Sequence, residues 1–309
     1  VKLAFLYAGQ GAQHVGMGRD LYEIYPAFRQ VLDSAPVDFD LKKLCFDGPE
    51  DQLNDTRYTQ PCMVAFAAGV TALLREAGIT PDYAAGLSLG EYSALQCAGV
   101  FDAKTAISLV AFRGQAMADA VQGRPCGMAA VLGMDRDALK AVCKEASDAG
   151  VVECTNFNCP GQIVISGDAA AVDKAGELAK AAGAKRVLPL KVSGPFHTSL
   201  MAPAGDALRE KFQSVDFGAM EIPVLFNCLG DLKGEADTIP NLLEQQVQSS
   251  VYLEDTIRRL GELGVDTVVE IGPGRTLSGF VKKTVKGIKC YPVETAEELQ
   301  AAIAALRGE

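Results

Sequence analysis

One run of the sequence has the spacing of an activated serine: Gly86-Leu87-Ser88-Leu89-Gly90. Asp82–Leu87 reads as a strand and Glu91–Ala98 as a helix, so this Gly-x-Ser-x-Gly falls at a strand-to-helix turn, where it forms a nucleophile elbow. Such a corner is crowded enough to require glycine on both sides. It leaves the serine Oγ exposed above the sheet and aims the next N–H into the same space. A structural turn serine is the alternative, and with 31 glycines in the chain the placement of the motif matters more than its letters. A serine hydroxyl is a weak nucleophile unless a base stands within hydrogen-bond reach. The chain offers two histidines, His14 and His197. His197 lies in the loop Val192–Thr198, between a strand and a helix that begins near Ser199, and loops held by a scaffold are where such bases sit. It is the favoured base; His14, beside a glycine-rich loop, competes, and either could be a structural histidine. No Asp or Glu is marked by spacing as a third member.

Arg113 falls on the helix Ala103–Val121, in one stripe with Ala106, Leu109, Val110, Met117 and Ala120. A guanidinium on an apolar face must snorkel, pair with an internal acid, or hold an anionic ligand. For the last role its planar fork suits a carboxylate. Gly9-Gln10-Gly11, with Gly16 and Gly18 beyond, follows the strand Lys2–Tyr7. The third glycine of a dinucleotide fingerprint would fall on His14, and no Gly-Lys-Ser/Thr is present for a phosphate loop. The segment is either a tight turn or a backbone cradle whose N–H groups face a ligand.

The elements that must position these groups alternate between strand and helix. Met63–Ala77 and Ala103–Val121 read as helices; Gly127–Leu132, Val151–Asn156, Gln162–Ser166 and Ala184–Pro189 read as strands, with helices at Asp135–Ala146 and Ala169–Ala182. That β-α-β-β-α-β order is the ferredoxin-like pattern. A strand at Asp266–Ile271, the turn Gly272-Pro273-Gly274 and a helix from Thr276 then resume the earlier rhythm. The expected architecture is an α/β large subdomain, residues 1–124 and 192–309, carrying an inserted small subdomain, 125–191.

A length of 309 residues suits one large domain or two unequal ones, and 49% apolar with 22% charged residues excludes disorder and collagen-like architecture. The net charge of −10 argues against a general nucleic-acid binder. No apolar run reaches the ~20 residues that span a bilayer, so no membrane is expected. No basic segment followed by an apolar one opens the sequence, which leads to the expectation of a cytoplasmic protein. The nine cysteines include no Cys-x-x-Cys, so no metal is expected.

Ala8–Gln13 with Gly16-Met17-Gly18, Gly86–Ala94, Arg113-Gly114, Asn156-Phe157-Asn158 with Pro160-Gly161-Gln162, Pro195-Phe196-His197 and Glu270–Gly274 occur in that order. Together they resemble the malonyl-CoA:acyl-carrier-protein transacylases of bacterial fatty-acid synthesis, from Lys2 to about Lys282. The resemblance implies an α/β-hydrolase-like core with a ferredoxin-like subdomain, the active site lying between them. It implies Ser88 as the acylated nucleophile and His197 as its base, oriented by the backbone carbonyl of Gln246 in place of a carboxylate. The N–H groups of Gln10 and Leu89 would form the oxyanion hole. Arg113 would grip the malonyl carboxylate, Phe196 would narrow the pocket at the acyl α-carbon, and Asn158 would contact substrate. The partners implied are malonyl-CoA and acyl carrier protein, with no cofactor because CoA is itself a substrate. An acidic carrier would need a local positive area, either Lys185, Arg186 and Lys191 or Lys282, Lys283 and Lys286. The chain departs from the family pattern with Leu87 where His often precedes the nucleophile, Ala8 where Pro often precedes the glycine loop, and Ser250–Leu253 where an aromatic-ended stretch is common. A serine hydrolase built on the same pair, or a docking subunit without activity, are the rival readings.

Overall fold

The structure, a computed structural model, describes residues 1–191 and 194–309. Val192 and Ser193, with which the expected large subdomain resumes and the expected histidine loop opens, lie outside the described residues. Strand β1 (Leu3–Tyr7) is buried along its whole length, as expected of an uninterrupted apolar run in a parallel sheet covered on both faces. Four short helices follow: α1 (Arg19–Ile24), α2 (Pro26–Asp33), α3 (Leu41–Asp47) and α4 (Glu50–Leu53).

Helix α5 (Thr56–Glu76) begins well before the expected Met63. Asp55 caps it by accepting the Arg57 N–H, and Pro61 is tolerated inside it at the loss of one backbone bond. Burial of nearly the whole helix outweighs that loss, which is why a proline in this pattern misplaces the start. Strand β2 (Tyr83–Gly86), α6 (Gly90–Cys97) and α7 (Ala103–Val121) match the expected strand, helix and helix closely. Asp102 starts α7 by accepting the Thr105 N–H.

The next elements are β3 (Cys126–Leu132), α8 (Arg136–Glu145), β4 (Val152–Cys159), β5 (Gln162–Asp168), α9 (Ala169–Ala181) and β6 (Arg186–Pro189). Their strands form an antiparallel sheet in the order β4-β5-β3-β6, the ferredoxin-like arrangement, with its own apolar core around Val131, Leu139, Phe157 and Ile165. The chain then runs through α10 (Ala202–Phe212), the short hairpin β7 (Leu225–Phe226) and β8 (Asp231–Leu232), α11 (Ile239–Gln246) and α12 (Leu253–Glu262). Strand β9 (Thr267–Ile271), α13 (Thr276–Thr284), β10 (Lys289–Val293) and α14 (Ala296–Arg307) complete it. The larger sheet is parallel, in the order β10-β9-β1-β2. No helix among the described residues is long and apolar enough to cross a membrane.

Strand β4 is stitched to the larger unit where the site will lie. The Val251 N–H donates to the Thr155 carbonyl at 2.7 Å, and the Phe157 N–H donates to the Val251 carbonyl at 2.9 Å. Glu153 accepts from the N–H and the hydroxyl of Ser199, two residues beyond His197. The Arg136 guanidinium lies 4.5 Å from the centroid of the Phe157 ring and pairs with Asp255. These bonds tie the smaller unit to the larger one just after His197 and shortly after Gln246.

The corner between β2 and α6 has no room for side chains at its glycines. A β-carbon on Gly90 would overlap the Tyr7 carbonyl oxygen, and one on Gly86 would overlap the Gly90 backbone. Gly90→Ala is expected to destabilise the fold by at least ~1–3 kcal/mol, the usual cost of overpacking, read as a lowered urea midpoint. An unchanged midpoint would mean the corner is not tight.

Candidate active site

Ser88 is held at φ 54°, in the left-handed region that a non-glycine residue rarely occupies. The glycines at 86 and 90 let β2 turn into α6 at this point, and the turn lifts the hydroxyl clear of the sheet. Its Oγ lies 2.6 Å from His197 Nε2. His197, itself at φ 63°, places Nδ1 2.8 Å from the Gln246 carbonyl oxygen at the end of α11. A carbonyl can only accept, so Nδ1 carries the proton and the lone pair of Nε2 faces the serine. Burial, and then the positive charge of Arg113, push the His197 pKa down to about 4. The imidazole is therefore neutral at neutral pH, the state a base requires. His14 does not bond to this pair: it lies at the surface and bonds Glu294.

Gly9 packs so closely on the elbow that a β-carbon there would overlap the Leu87 carbonyl oxygen. This contact brings the loop carrying Gln10 against the turn carrying Leu89. Neither the Gln10 N–H nor the Leu89 N–H has a protein acceptor among the described residues. Leu89 also stands at the N-terminal end of α6, where the helix dipole favours negative charge. Gln10 is steadied through its side chain, which accepts the Thr56 hydroxyl at 2.6 Å.

Arg113 is 1% exposed and donates to two neutral amides, Gln60 Oε1 and Gln246 Oε1, each at 3.0 Å. Its Nε has no partner among the described residues. The nearby carboxyl of Glu91 is pushed up to about 8 by burial and so is largely protonated at neutral pH. Among the described residues the guanidinium makes no ion pair with a carboxylate, which argues against the internal ion pair as its purpose.

A cavity of about 590 Å³ opens over the pair, lined from the large unit by Gln10, Ser88, Met117, Phe196 and His197. Met128, Asn156, Leu190 and Lys191 line it from the other side, so both sheets contribute walls. No group of three or more His, Cys, Asp or Glu suited to a metal occurs among the described residues.

A serine, a neutral histidine, two free amide donors and an unpaired buried cation are the parts of an acyl-transfer site. Comparison with known proteins agrees. Residues 4–304 match the model of the acyl transferase domain family. The chain belongs to that family. It is 44% identical to a malonyl CoA-acyl carrier protein transacylase of Bacillus subtilis, over 100% of this chain and 98% of that one. It is similar to the crystal structure of a malonyl CoA-acyl carrier protein transacylase from Clostridium perfringens, with a TM-score of 0.96, 38% identity, and 100% and 98% of the two chains covered. A malonyl-transacylase solved in complex with a type II PKS acyl-carrier protein is similar at TM-score 0.95 and 39% identity, over 100% of both chains.

Against this acyl transferase background, the fold brings Ser88, His197, Gln246, Gln10, Leu89, Arg113 and Phe196 together. Arg113 is not itself in the cavity wall; it lies one helical turn from Met117, which is. Asn158 is not brought to the cavity. It is buried, its Oδ1 has no partner among the described residues, and a β-bulge between Phe157 and Cys159 leaves it out of the pairing register; Asn156 lines the wall. Gln60 and Asn227 escaped the sequence reading: each is a lone buried amide with no motif around it, and only the helical spacing from Gln60 along α5 hinted at an inward face. Of the basic residues expected at a docking area, Lys191 lines the cavity, whereas Lys185, Arg186, Lys282, Lys283 and Lys286 are exposed.

The depressed His197 pKa gives a pH test of the pair. Labelling of Ser88 by a fluorophosphonate, followed by intact mass, should keep a constant rate from pH 8 to about 5 and fall as the imidazole protonates near pH 4. A rate already falling between pH 7 and 6 would show an ordinary, exposed histidine.

Proposed function

We propose that the protein moves a malonyl group from malonyl-CoA to the phosphopantetheine thiol of an acyl carrier protein through a malonyl-Ser88 intermediate. The observation that carries this reading is the buried, unneutralised Arg113 beside an assembled Ser88–His197 pair, joined to the activity named for its relatives. In the first half-reaction Ser88 Oγ bonds to the thioester carbon and its proton passes to His197 Nε2. The oxyanion that forms is met by the N–H groups of Gln10 and Leu89; one such donor is worth ~3–4 kcal/mol in other enzymes. The carbon–sulfur bond then breaks, and His197 returns the proton to the departing CoA thiolate. The carrier thiol enters, gives its proton to His197, and attacks the ester; Ser88 recovers the proton as it leaves.

No cofactor takes part, since exchange of one thioester for another is nearly isoenergetic and needs only the nucleophile, the base and the oxyanion donors. Selectivity falls to Arg113 and to Phe196, which lines the cavity beside His197. The division into a large subdomain, 1–124 with 192–309, and a small one, 125–191, gives the thioester a cleft with walls from both. The reaction belongs to the cytoplasm, where malonyl-CoA and carrier protein meet.

Brief exposure to malonyl-CoA without acceptor should add one malonyl mass to Ser88 and release a single equivalent of CoA before stalling. Continuous CoA release would identify a hydrolase, and no mass gain a subunit without activity. Arg113→Ala should slow malonyl transfer at least tenfold, the loss of a charge-assisted contact worth ~1.5–3 kcal/mol, while largely sparing acetyl transfer. Equal loss with both acyl groups would remove Arg113 from substrate recognition.

A further inference from the structure

The backbone of Ser88 is held from behind by one amide. Its own N–H donates to Asn227 Oδ1 at 2.7 Å, and Asn227 Nδ2 donates to the Gly86 carbonyl at 2.6 Å. The side chain of Asn227 thus bridges the elbow from residue 86 to residue 88. Asn227 follows the hairpin strand Leu225–Phe226, far from the elbow in sequence, and is completely buried. Its backbone N–H is fixed in turn by Glu91 Oε1 at 2.6 Å.

The same amide meets the histidine side of the site. Gln246 Nε2 donates to the Ser88 carbonyl at 2.7 Å and lies 3.4 Å from Asn227 Oδ1, while the Gln246 carbonyl orients His197. Ser88 therefore has both of its backbone polar groups occupied by buried side-chain amides. A non-glycine residue in the left-handed region carries ~1–3 kcal/mol of strain and persists only where its surroundings over-determine it. The bonds from Asn227 and Gln246 supply that determination. They also commit the Ser88 N–H, which in many serine enzymes faces the oxyanion, and leave that task to Leu89 and Gln10.

We propose that Asn227 is a positioning residue for the acyl transfer: its side-chain amide holds the Ser88 backbone so that Oγ stays in line with His197 Nε2, and it joins the serine and histidine halves of the site through Gln246. Asn227 touches no reacting atom, so its effect reaches the chemistry only through Ser88. The inference rests on Ser88 being the acylated residue.

The test is a rapid-quench burst with malonyl-CoA and no acceptor, comparing the wild-type protein with Asn227→Ala and reading the rate constant of acylation separately from the burst amplitude. The variant should acylate at least tenfold more slowly per active molecule, with the concentration of malonyl-CoA at half-maximal rate changed less than threefold. A merely structural role would lower the amplitude and leave the rate constant within threefold of wild type; that result, or a native rate at full amplitude, would overturn the proposal. If Asn227→Ala does not fold, Asn227→Ser, which keeps a hydroxyl for the Ser88 N–H, is read by the same criterion and should lie between the two. Absence of a burst in the wild-type protein would instead refute the malonyl-serine reading and is separable from failure here.

Discussion

The site depends on a corner that the backbone would not adopt unaided. Ser88 must sit at positive φ to raise its hydroxyl, and this is possible only because Gly86, Gly90 and Gly9 let three stretches of main chain approach more closely than any β-carbon allows. The parallel sheet delivers β1 and β2 side by side, so that the loop after one and the turn after the other arrive at the same carboxyl edge. Brought together in this way, two amide N–H groups without protein acceptors and one strained serine become neighbours. Burial then keeps His197 neutral and facing the serine.

The second sheet completes the site without supplying its reacting groups. Its residues Glu153, Thr155 and Phe157 are bonded to Ser199, just after the histidine loop, and to Val251, shortly after Gln246. Residues of both sheet-bearing units line the cavity above the serine and histidine. This division of labour is common where a catalytic corner and a specificity wall come from different parts of a chain.

What could be read in the sequence was local. Ser88 was legible because its motif, strand and helix are contiguous, and His197 because only one other histidine exists. The antiparallel sheet was legible because its strands and helices alternate cleanly between Cys126 and Pro189, with Asp135 and Asp168 where helices begin. The start of α5 was not, since Pro61 reads as a stop unless burial is known. Asn158 rests on the family resemblance alone, and the two register shifts in β4, between Cys154 and Asn156 and between Phe157 and Cys159, leave no mark in the letters. Asn227 and Gln60 were invisible because their partners lie far along the chain and a lone amide has no spacing to betray it.

Arg113 and His197 are both buried and both bond to Gln246, and the positive charge of the first is part of what disfavours a proton on the second. An anion seated on the guanidinium would cancel that repulsion. The imidazole would then become a stronger base at the moment the cargo with the correct charge arrives, and weaken again once it departs. Discrimination and reactivity are in this way two readings of a single electrostatic balance, so an uncharged acyl group would forfeit not only its grip but also part of the basicity that its own attack requires.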